Sequence, residues 1–532
     1  MEVNDRDMDG PLGPSETVLA AASPRGAPKA TRRDWIGLGV IALPCLLYSM
    51  DLTVLNLAVP ALSADLRPSS TELLWIIDIY GFLVAGSLIT MGTLGDRIGR
   101  RRLLLIGAVA FGVGSVVAAF STTALMLIAS RALLGIAGAT LAPSTLSLIR
   151  NMFHDPAQRT VAIGVWISSY SAGAAIGPLI GGVLLEHFWW GSVFLISVPV
   201  MLLLIVLGPV LLPEFRDPGA GRLDLISAAL SLGGVLSVIY GLKRVAETAR
   251  PWPGILFVIV GVGTAVVFVR RQHALPHPLL DLGLFRSRAF TAALATYSLG
   301  TFVAFGVYVF IGQYLQLVVG LSPLQAGLWT APFALAFIVG SLVTPAIVRR
   351  VSPRWVMTAG LSLAAVGFGV IALVDSTSGL ALLVTGLVAY SLGLAPVFTL
   401  SNDVVIGCAP PERAGAAAAL SETGSELGGA LGIALLGSLG TALYRDRMSD
   451  AVHAGIPAHA VEAARDTLGA ALAIGRQLSD RLGAELIARA QEAFIGSLRL
   501  SAVVSAVIVA GIALATALVP DADTSSHPNA HP

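Results

Sequence analysis

Long runs of apolar residues, separated by short polar segments, recur along almost the whole chain. A helix needs about 20 predominantly apolar residues to cross the hydrocarbon core of a bilayer, and most of these runs have that length. The pattern therefore predicts fourteen membrane-spanning helices, and the even number places both termini on one side. The predicted spans are 35–59, 72–94, 103–120, 123–149, 160–185, 190–212, 224–243, 254–270, 289–318, 325–348, 355–374, 379–403, 414–443 and 500–519.

Composition supports a protein that lies mostly in lipid. Of the 532 residues, 55% are hydrophobic and 12% are charged, whereas soluble proteins carry roughly 25% charged residues. Residues 1–34 are polar and contain several prolines, so we expect a disordered tail and no cleavable signal peptide. These features favour an all-α integral membrane protein.

Arginine placement orients the predicted helices. Loops on one predicted side hold most of the arginines, among them Arg97, Arg101, Arg150, Arg216, Arg270, Arg286, Arg349 and Arg413. The short loops on the other side hold Arg67, Lys243, Arg244 and Arg250. Because positive residues accumulate on the cytoplasmic side, both termini are predicted to lie in the cytoplasm.

The loop after the second predicted helix carries the most specific motif. It reads Gly92-Thr-Leu-Gly-Asp-Arg-Ile-Gly-Arg-Arg-Arg102, which resembles the signature loop of the major facilitator superfamily. The alternative is a generic basic loop that only orients the helices. The resemblance assigns the locking of the cytoplasmic gate to Gly92, Asp96, Arg97, Gly99 and Arg100.

The same resemblance implies a domain plan of two six-helix bundles with two extra central helices. The plan comprises a cytoplasmic tail 1–34, a first bundle 35–212, a linker with the extra helices 213–288, a second bundle 289–519 and a cytoplasmic tail 520–532. Within the second bundle, an outer segment 444–499 has apolar residues at the spacing of an amphipathic helix. These residues are Leu482, Leu486, Ala490 and Phe494. The segment is interpreted either as a helical hairpin capping the outer mouth or as an inert linker.

Two acids lie inside the first two predicted spans. Asp51 shares its span with Asn56, and Asp78 has Trp75 and Phe82 on the same helical face. A charged side chain in the bilayer centre costs at least about 2.5 kcal/mol, so such acids usually serve a function. An acid beside aromatic rings can bind an organic cation. The alternative for each acid is a packing role with a satisfied carboxylate.

Charged residues in two later spans suggest proton chemistry. Arg131 lies within the fourth span and requires an acid or carbonyl partner, and it resembles the superfamily's fourth-helix arginine motif for proton coupling. A structural ion pair is the alternative. Glu422 and Glu426 lie one turn apart in the thirteenth span and cannot ionise equally easily, which suits proton exchange. They could instead be first-turn acids that meet the helix dipole. We favour Glu422 as the functional one.

The fifth predicted span indicates the direction of transport. Trp166 and Tyr170 precede a stripe of small residues at four-residue spacing, which allows close helix packing. The stripe and its proline are Gly173, Gly177, Pro178, Gly181 and Gly182. They resemble the Gly-Pro-x-x-Gly-Gly motif that marks exporters in the superfamily, although ordinary helix packing also explains the glycines.

Together these motifs are similar to those of the fourteen-helix drug:proton antiporters, in particular the quaternary-ammonium multidrug exporters of the QacA type. The resemblance implies proton-coupled export of lipophilic organic cations, such as dyes and antiseptics, across the cytoplasmic membrane of a bacterium. It carries cation recognition and proton coupling over to Asp51, Asp78 and Glu422. The alternative is a dedicated proton-driven exporter of one antibiotic or natural product.

The sequence also argues against other function classes. A phosphate-binding loop needs Gly-Lys before Ser or Thr, but Lys29 follows proline and Lys243 follows leucine. Metal-ligand spacings and long basic clusters are missing as well. We therefore expect no enzyme activity, cofactor, nucleic acid or ATPase subunit. The expected partners are small-molecule drugs, protons and the lipid bilayer, with the chain working as a monomer.

Overall fold

The computed structural model describes residues 29–216, 224–247, 252–275, 282–375, 379–408, 414–449, 464–478 and 480–518, and the regular elements within them are all helical. The first half consists of α1 (Arg32–Leu66), α2 (Ser70–Ile98), α3 (Arg100–Ala119), α4 (Ala124–Gly138), α5 (Leu141–Met152), α6 (Pro156–His187), α7 (Ser192–Leu195) and α8 (Ser197–Leu211). Two central helices follow, α9 (Leu225–Glu247) and α10 (Trp252–Ala274).

The second half begins with a short 3₁₀ helix, Leu282–Arg286. It then contains α11 (Arg288–Gln313) with a π-helical end at Tyr314–Val318, α12 (Pro323–Val348), α13 (Pro353–Ile371), α14 (Gly379–Gly407), α15 (Ala414–Ser449), α16 (Leu468–Gly475) and α17 (Asp480–Leu518). In the first half, α1 packs on α6 and α8, and in the second half α11 packs on α14 and α15. The halves meet where α2 contacts α15, α6 contacts α12 and α1 contacts α11.

The number of spans falls short of the prediction. Within the described residues, 12 helices are long and apolar enough to cross a membrane. A thirteenth is reached if Val161–Ala174 and Ile176–His187, two parts of α6 bent by 40°, form one span. Pro178 explains this bend, because it cannot donate a hydrogen bond to the carbonyl one turn earlier. The apolar part of α9, Ile226–Gly241, is shorter than the spans that are counted, so the count of fourteen is not confirmed.

Two helices begin before the spans predicted for them. The first begins at Arg32 and not at residue 35, because Thr31 caps α1 in a reciprocal capping box with Asp34. The last predicted span, 500–519, starts too late, since α17 already begins at Asp480. Residues 1–28 and 519–532, which contain most of both predicted tails, lie outside the described residues.

The outer segment of the prediction contains helices that pack on the bundle. Leu486, Ala490 and Phe494 of α17 are buried, as their spacing predicts. Ser70 of α2 donates a hydrogen bond to the carbonyl of Asp466 at 2.6 Å. Gln491 donates to the carbonyl of Leu317 at 2.8 Å. The described part of this segment therefore contacts both halves, and its role as a cap on the outer mouth stays a prediction.

The two central helices form a tight antiparallel pair. A Cβ on Gly241 would lie 2.6 Å from the carbonyl oxygen of Gly254, so these backbones nearly touch. At the other end of the pair, the guanidinium of Arg271 donates hydrogen bonds to both carboxylate oxygens of Asp224, at 3.0 and 3.1 Å. These hydrogen bonds lower the pKa of Asp224 to about 2.

Asp224→Asn is expected to destabilise this helix pair by about 0.2–1 kcal/mol at neutral pH, a small effect because the ion pair is partly exposed. In the folded protein the Asp224 carboxyl has a lower pKa than in the unfolded chain. Its stabilising effect is therefore present above pH 4 and is lost as the pH falls towards 2. Hydrogen exchange of α9 and α10 amides from pH 7 to 3 checks this. Equal protection in wild type and variant at pH 7 would contradict it.

Candidate functional site

The buried arginine of α4 has both kinds of partner that the sequence predicts, an acid and a backbone carbonyl. The Arg131 side chain is only 1% exposed and forms an ion pair with Asp51 of α1, which is 14% exposed. Arg131 also donates to the carbonyl of Ile76 at 3.2 Å, and its guanidinium lies 4.7 Å from the ring centre of Tyr80. Charge pairing, hydrogen bonding and a cation–π contact together make this guanidinium tolerable within the bilayer.

A tyrosine links the first half to the acids of α15. The hydroxyl of Tyr48 donates to a carboxylate oxygen of Glu426 at 2.6 Å. The Tyr48 ring lies 5.9 Å from that of Tyr80 and 5.7 Å from that of Tyr170. Trp166 packs edge-on against Tyr170 at 4.9 Å. Tyr48 thus contacts both the predicted cavity residue Tyr170 and the acid Glu426, and Trp166 joins this group through Tyr170.

Glu422 lies one turn before Glu426 on the same helix face. Both side chains are partly buried, in the middle of a helix, so neither is a first-turn acid. The pair meets an aromatic residue of the first half through Glu426, whose carboxylate accepts the hydrogen bond from Tyr48.

The face of α2 that carries Trp75, Asp78 and Phe82 packs against α9 and α15. Phe82 is fully buried in an apolar cluster with Ile239 of α9 and Ala430 of α15, and Trp75 packs at its edge. Asp78 on the same helix is 1% exposed. A lining role for Trp75 and Phe82 in a substrate cavity, and a coupling role for Asp78, stay predictions.

The glycine stripe of α6 brings two helices into backbone contact. A Cβ on Gly173 would overlap the carbonyl oxygen of Leu46, and one on Gly181 would lie 2.7 Å from Val54, both on α1. Gly182 instead faces α12, where a Cβ would lie 2.7 Å from the Cα of Leu324. The same stripe therefore closes α6 onto its own half and onto the opposite half.

Gly173→Ala is expected to destabilise the protein by about 2 kcal/mol, because the added methyl group must push α1 away from α6. Gly164→Ala is the matched control on the same helix, since a Cβ there meets nothing within 4 Å. The control should be neutral or stabilising by up to about 1 kcal/mol. Thermal unfolding in detergent micelles measures both, and equal melting temperatures would refute the close contact.

The signature loop is a sharp turn between α2 and α3. Gly99 has a backbone φ of 111°, a value that residues with a side chain rarely adopt. A Cβ at this position would also overlap the carboxylate of Glu214. Glu214 accepts the backbone N–H of Arg101 at 3.2 Å and pairs with its guanidinium at 3.6 Å. The loop is thus held to the residues after α8, an interaction that the motif did not reveal.

Other residues of the loop contact the same half. Arg100 donates to the carbonyl of Pro143 at 3.3 Å, and its backbone N–H donates to the carbonyl of Phe215 at 3.0 Å. Gly92 also lies near Pro143, and Arg97 is exposed. The side chain of Asp96 lies outside the described residues. The gating role of the loop stays a prediction.

Sequence reasoning missed an aromatic chamber of about 180 Å³ in the second half. Six rings from α11, α12 and α14 line it: Phe305, Tyr308, Phe333, Phe337, Tyr390 and Phe398. Thr53 of α1 and Ala174 of α6 also line the chamber, so it opens at the interface between the halves. The lining contains no charged side chain among the described residues.

A profile of the Major Facilitator Superfamily matches residues 41–433, well over half of the chain. This chain belongs to the Major Facilitator Superfamily. A relative, the multidrug efflux pump LfrA of Mycolicibacterium smegmatis, is 43% identical over 487 residues, covering 91% of this chain and 96% of LfrA. The methyl viologen resistance protein SmvA of Salmonella typhimurium is 36% identical, covering 87% of this chain and 94% of SmvA.

The solved structures agree with this assignment. A bacterial homologue of the human lysosomal transporter Spinster, inward-facing and unoccupied, has a TM-score of 0.65 at 18% identity, covering 92% of this chain and 97% of its own. The Major Facilitator Superfamily fold and the resemblance to its drug exporters are therefore confirmed. The chain is a multi-pass membrane efflux transporter of small molecules and not an enzyme.

Proposed function

We propose that this transporter exports lipophilic organic cations in exchange for protons. The observation that carries the proposal is the polar chain across the interface of the two halves. It runs from the Asp51–Arg131 pair through the rings of Tyr80 and Tyr48 to Glu426. An acid held between the halves can bind either a cation or a proton, and exchange of one for the other can be tied to movement of the halves.

The names of the relatives support the cation class. SmvA confers resistance to methyl viologen, a dication, and LfrA is a multidrug pump. Partly buried acids with aromatic rings nearby suit lipophilic cations, because charge pairing and cation–π contacts add to each other. Glu422 and Glu426, with Trp166 and Tyr170, are the residues that we assign to this recognition.

The transport cycle follows from these roles. A cation from the cytoplasm or inner leaflet enters between the halves and pairs with Glu422 or Glu426, and a proton leaves. The halves then rock about the contacts of α6 with α12 and of α1 with α11, and the outer side opens. Protonation of the acids from outside releases the cation, in the alternating-access manner of transporters built from repeated halves.

The topology completes the proposal. Both termini face the cytoplasm, α9 and α10 are an insertion between the two bundles, and the hairpin of α16 and α17 lies at the outer mouth. The proton gradient of the bacterial cytoplasmic membrane supplies the energy, without a cofactor or an ATPase subunit, and a monomer suffices. Cysteine labelling from each side of the membrane checks this orientation.

Inside-out membrane vesicles that contain the protein test the proposal directly. Ethidium and methyl viologen should accumulate when the vesicle lumen is made acidic, and a protonophore should abolish the accumulation. An imposed sodium gradient should not replace the proton gradient. If neither cation accumulates, the proposal is wrong, and a dedicated exporter of one uncharged natural product becomes the better account.

A further inference from the structure

The aromatic chamber has the size of one aryl group. An engineered apolar protein cavity of about 150 Å³ accommodates benzene, and the chamber measures about 180 Å³. It therefore has room for one planar ring with small substituents. Its rings are arranged around this space, and the ring centre of Phe333 lies 5.8 Å from that of Tyr308 and 5.5 Å from that of Tyr390.

The polar groups of the chamber are poorly suited to bind a charged group. The hydroxyl of Ser391 donates to the carbonyl of Phe333 at 2.8 Å, and that of Thr53 donates to the carbonyl of Met50 at 3.0 Å. Tyr390 is 1% exposed, and within the described residues its hydroxyl has no hydrogen-bond partner. An uncharged ring that can accept a weak hydrogen bond from Tyr390 suits this lining better than a cation, which needs a counter-charge when desolvated.

The chamber adjoins the acids of α15 by two routes. Phe305, which lines the chamber, lies 3.2 Å from the position of a Cβ on Gly429, one turn beyond Glu426. Phe398 packs edge-on at 5.2 Å against Tyr297, whose chain neighbour Ser298 lies 2.7 Å from the position of a Cβ on Gly424, between Glu422 and Glu426. A ligand with its ring in the chamber can therefore extend towards the acids through a short linker.

We infer that the chamber is a subsite for the uncharged aryl group of those transported cations that carry one, while the charged centre lies at Glu422 and Glu426. The inference rests on the proposed function and adds a selectivity to it. Aryl-substituted cations should bind more tightly than alkyl-substituted cations of equal charge, because aromatic pairs contribute beyond the apolar area that they bury.

Tetraphenylphosphonium and tetrabutylphosphonium are a suitable probe pair, since they carry the same single charge. Calorimetric titration of the purified full-length protein in detergent gives the ratio of their affinities. In Phe333→Leu, which keeps an apolar side chain but loses a ring, this aryl-to-alkyl ratio should fall about fivefold. Affinity for tetrabutylphosphonium should stay unchanged, which also shows that the variant is folded.

Two further variants separate ligand contact from packing. Ala334→Phe fills the chamber from its wall and should also remove the aryl preference. Phe368 stacks on Tyr390 at 4.5 Å but does not line the chamber, so Phe368→Leu is the matched control and should keep the preference. Comparison with wild type in the same detergent cancels the different micelle partition of the two probes.

The possible outcomes separate the two proposals. If wild type binds both phosphonium ions equally well, or if Phe333→Leu weakens both alike, the chamber is not an aryl subsite, and cation export still stands. If wild type binds neither ion, the cation proposal itself fails. An unchanged aryl preference in both Phe333→Leu and Ala334→Phe would place the aryl group elsewhere.

Discussion

Replacing Arg131 by glutamine is expected to abolish transport and to destabilise the protein by about 3 kcal/mol. The Asp51 carboxylate would lose its ion pair within the membrane, where a lone charge is strongly unfavourable. The change would also remove the donor to the carbonyl of Ile76 and the cation over the ring of Tyr80. Thermal unfolding in detergent and dye accumulation in vesicles measure the two effects separately.

The double variant with Asp51→Asn and Arg131→Gln is the informative control. It removes both charges, so most of the lost stability should return, whereas transport should not. Recovery of stability without transport would show that the pair acts in the cycle beyond its structural role. If Arg131→Gln alone transports at the wild-type rate, the pair belongs to the scaffold, and the polar chain across the interface loses its first member.

Glu422→Gln is expected to reduce gradient-driven accumulation by more than tenfold while downhill exchange of cation across the membrane continues. Glutamine keeps the size and hydrogen-bonding capacity of the side chain but cannot gain or lose a proton. Uphill transport needs that proton, whereas exchange of one cation for another does not. Parallel measurements of uptake against a gradient and of counterflow in proteoliposomes distinguish these steps.

Glu485→Gln supplies the comparison, since Glu485 lies on the surface of α17 and pairs with Arg489. This variant should behave like wild type. Tyr48→Phe removes the hydrogen bond to Glu426 without changing either acid, and it should weaken coupling less than Glu422→Gln does. Undiminished uphill transport by Glu422→Gln would move the proton-carrying role to Glu426 or to an acid of the first half.

Hydropathy predicted the position of each membrane helix because the bilayer requires long apolar segments. What it could not show is how a segment ends or bends. Asp480 starts the last helix twenty residues before its apolar part, since the preceding turns are helical and dock on the bundle. The apolar part of α9 is short, and Pro178 bends α6, so the span count differs from the prediction.

The site was predictable where a residue could not be stable in the membrane without a specific partner. Arg131 cannot lie in a membrane without a partner, and the structure supplies Asp51. Tyr48 was missed because a tyrosine in a membrane helix makes no such demand. Its hydrogen bond to Glu426 depends on the packing of α1 against α15, which the sequence does not show.

The aromatic chamber was also missed because it depends on the packing of distant segments. Each of its three helices carries two rings at helical spacing, such as Phe333 and Phe337, but such pairs are common in apolar helices. Convergence of the six rings depends on long-range packing of α11, α12 and α14. Glu214 is a further example, because its contact with the signature loop joins residues more than a hundred positions apart.

Simultaneous measurement of cation and proton movement in proteoliposomes tests the central claim most directly. The purified chain would be oriented inside-out around an acidic lumen that contains a pH-sensitive dye, and ethidium or methyl viologen would be added outside. We predict that the cation accumulates while the lumen becomes less acidic, and that neither happens without the protein. Accumulation of cation with no change in luminal pH would contradict proton exchange as the source of energy.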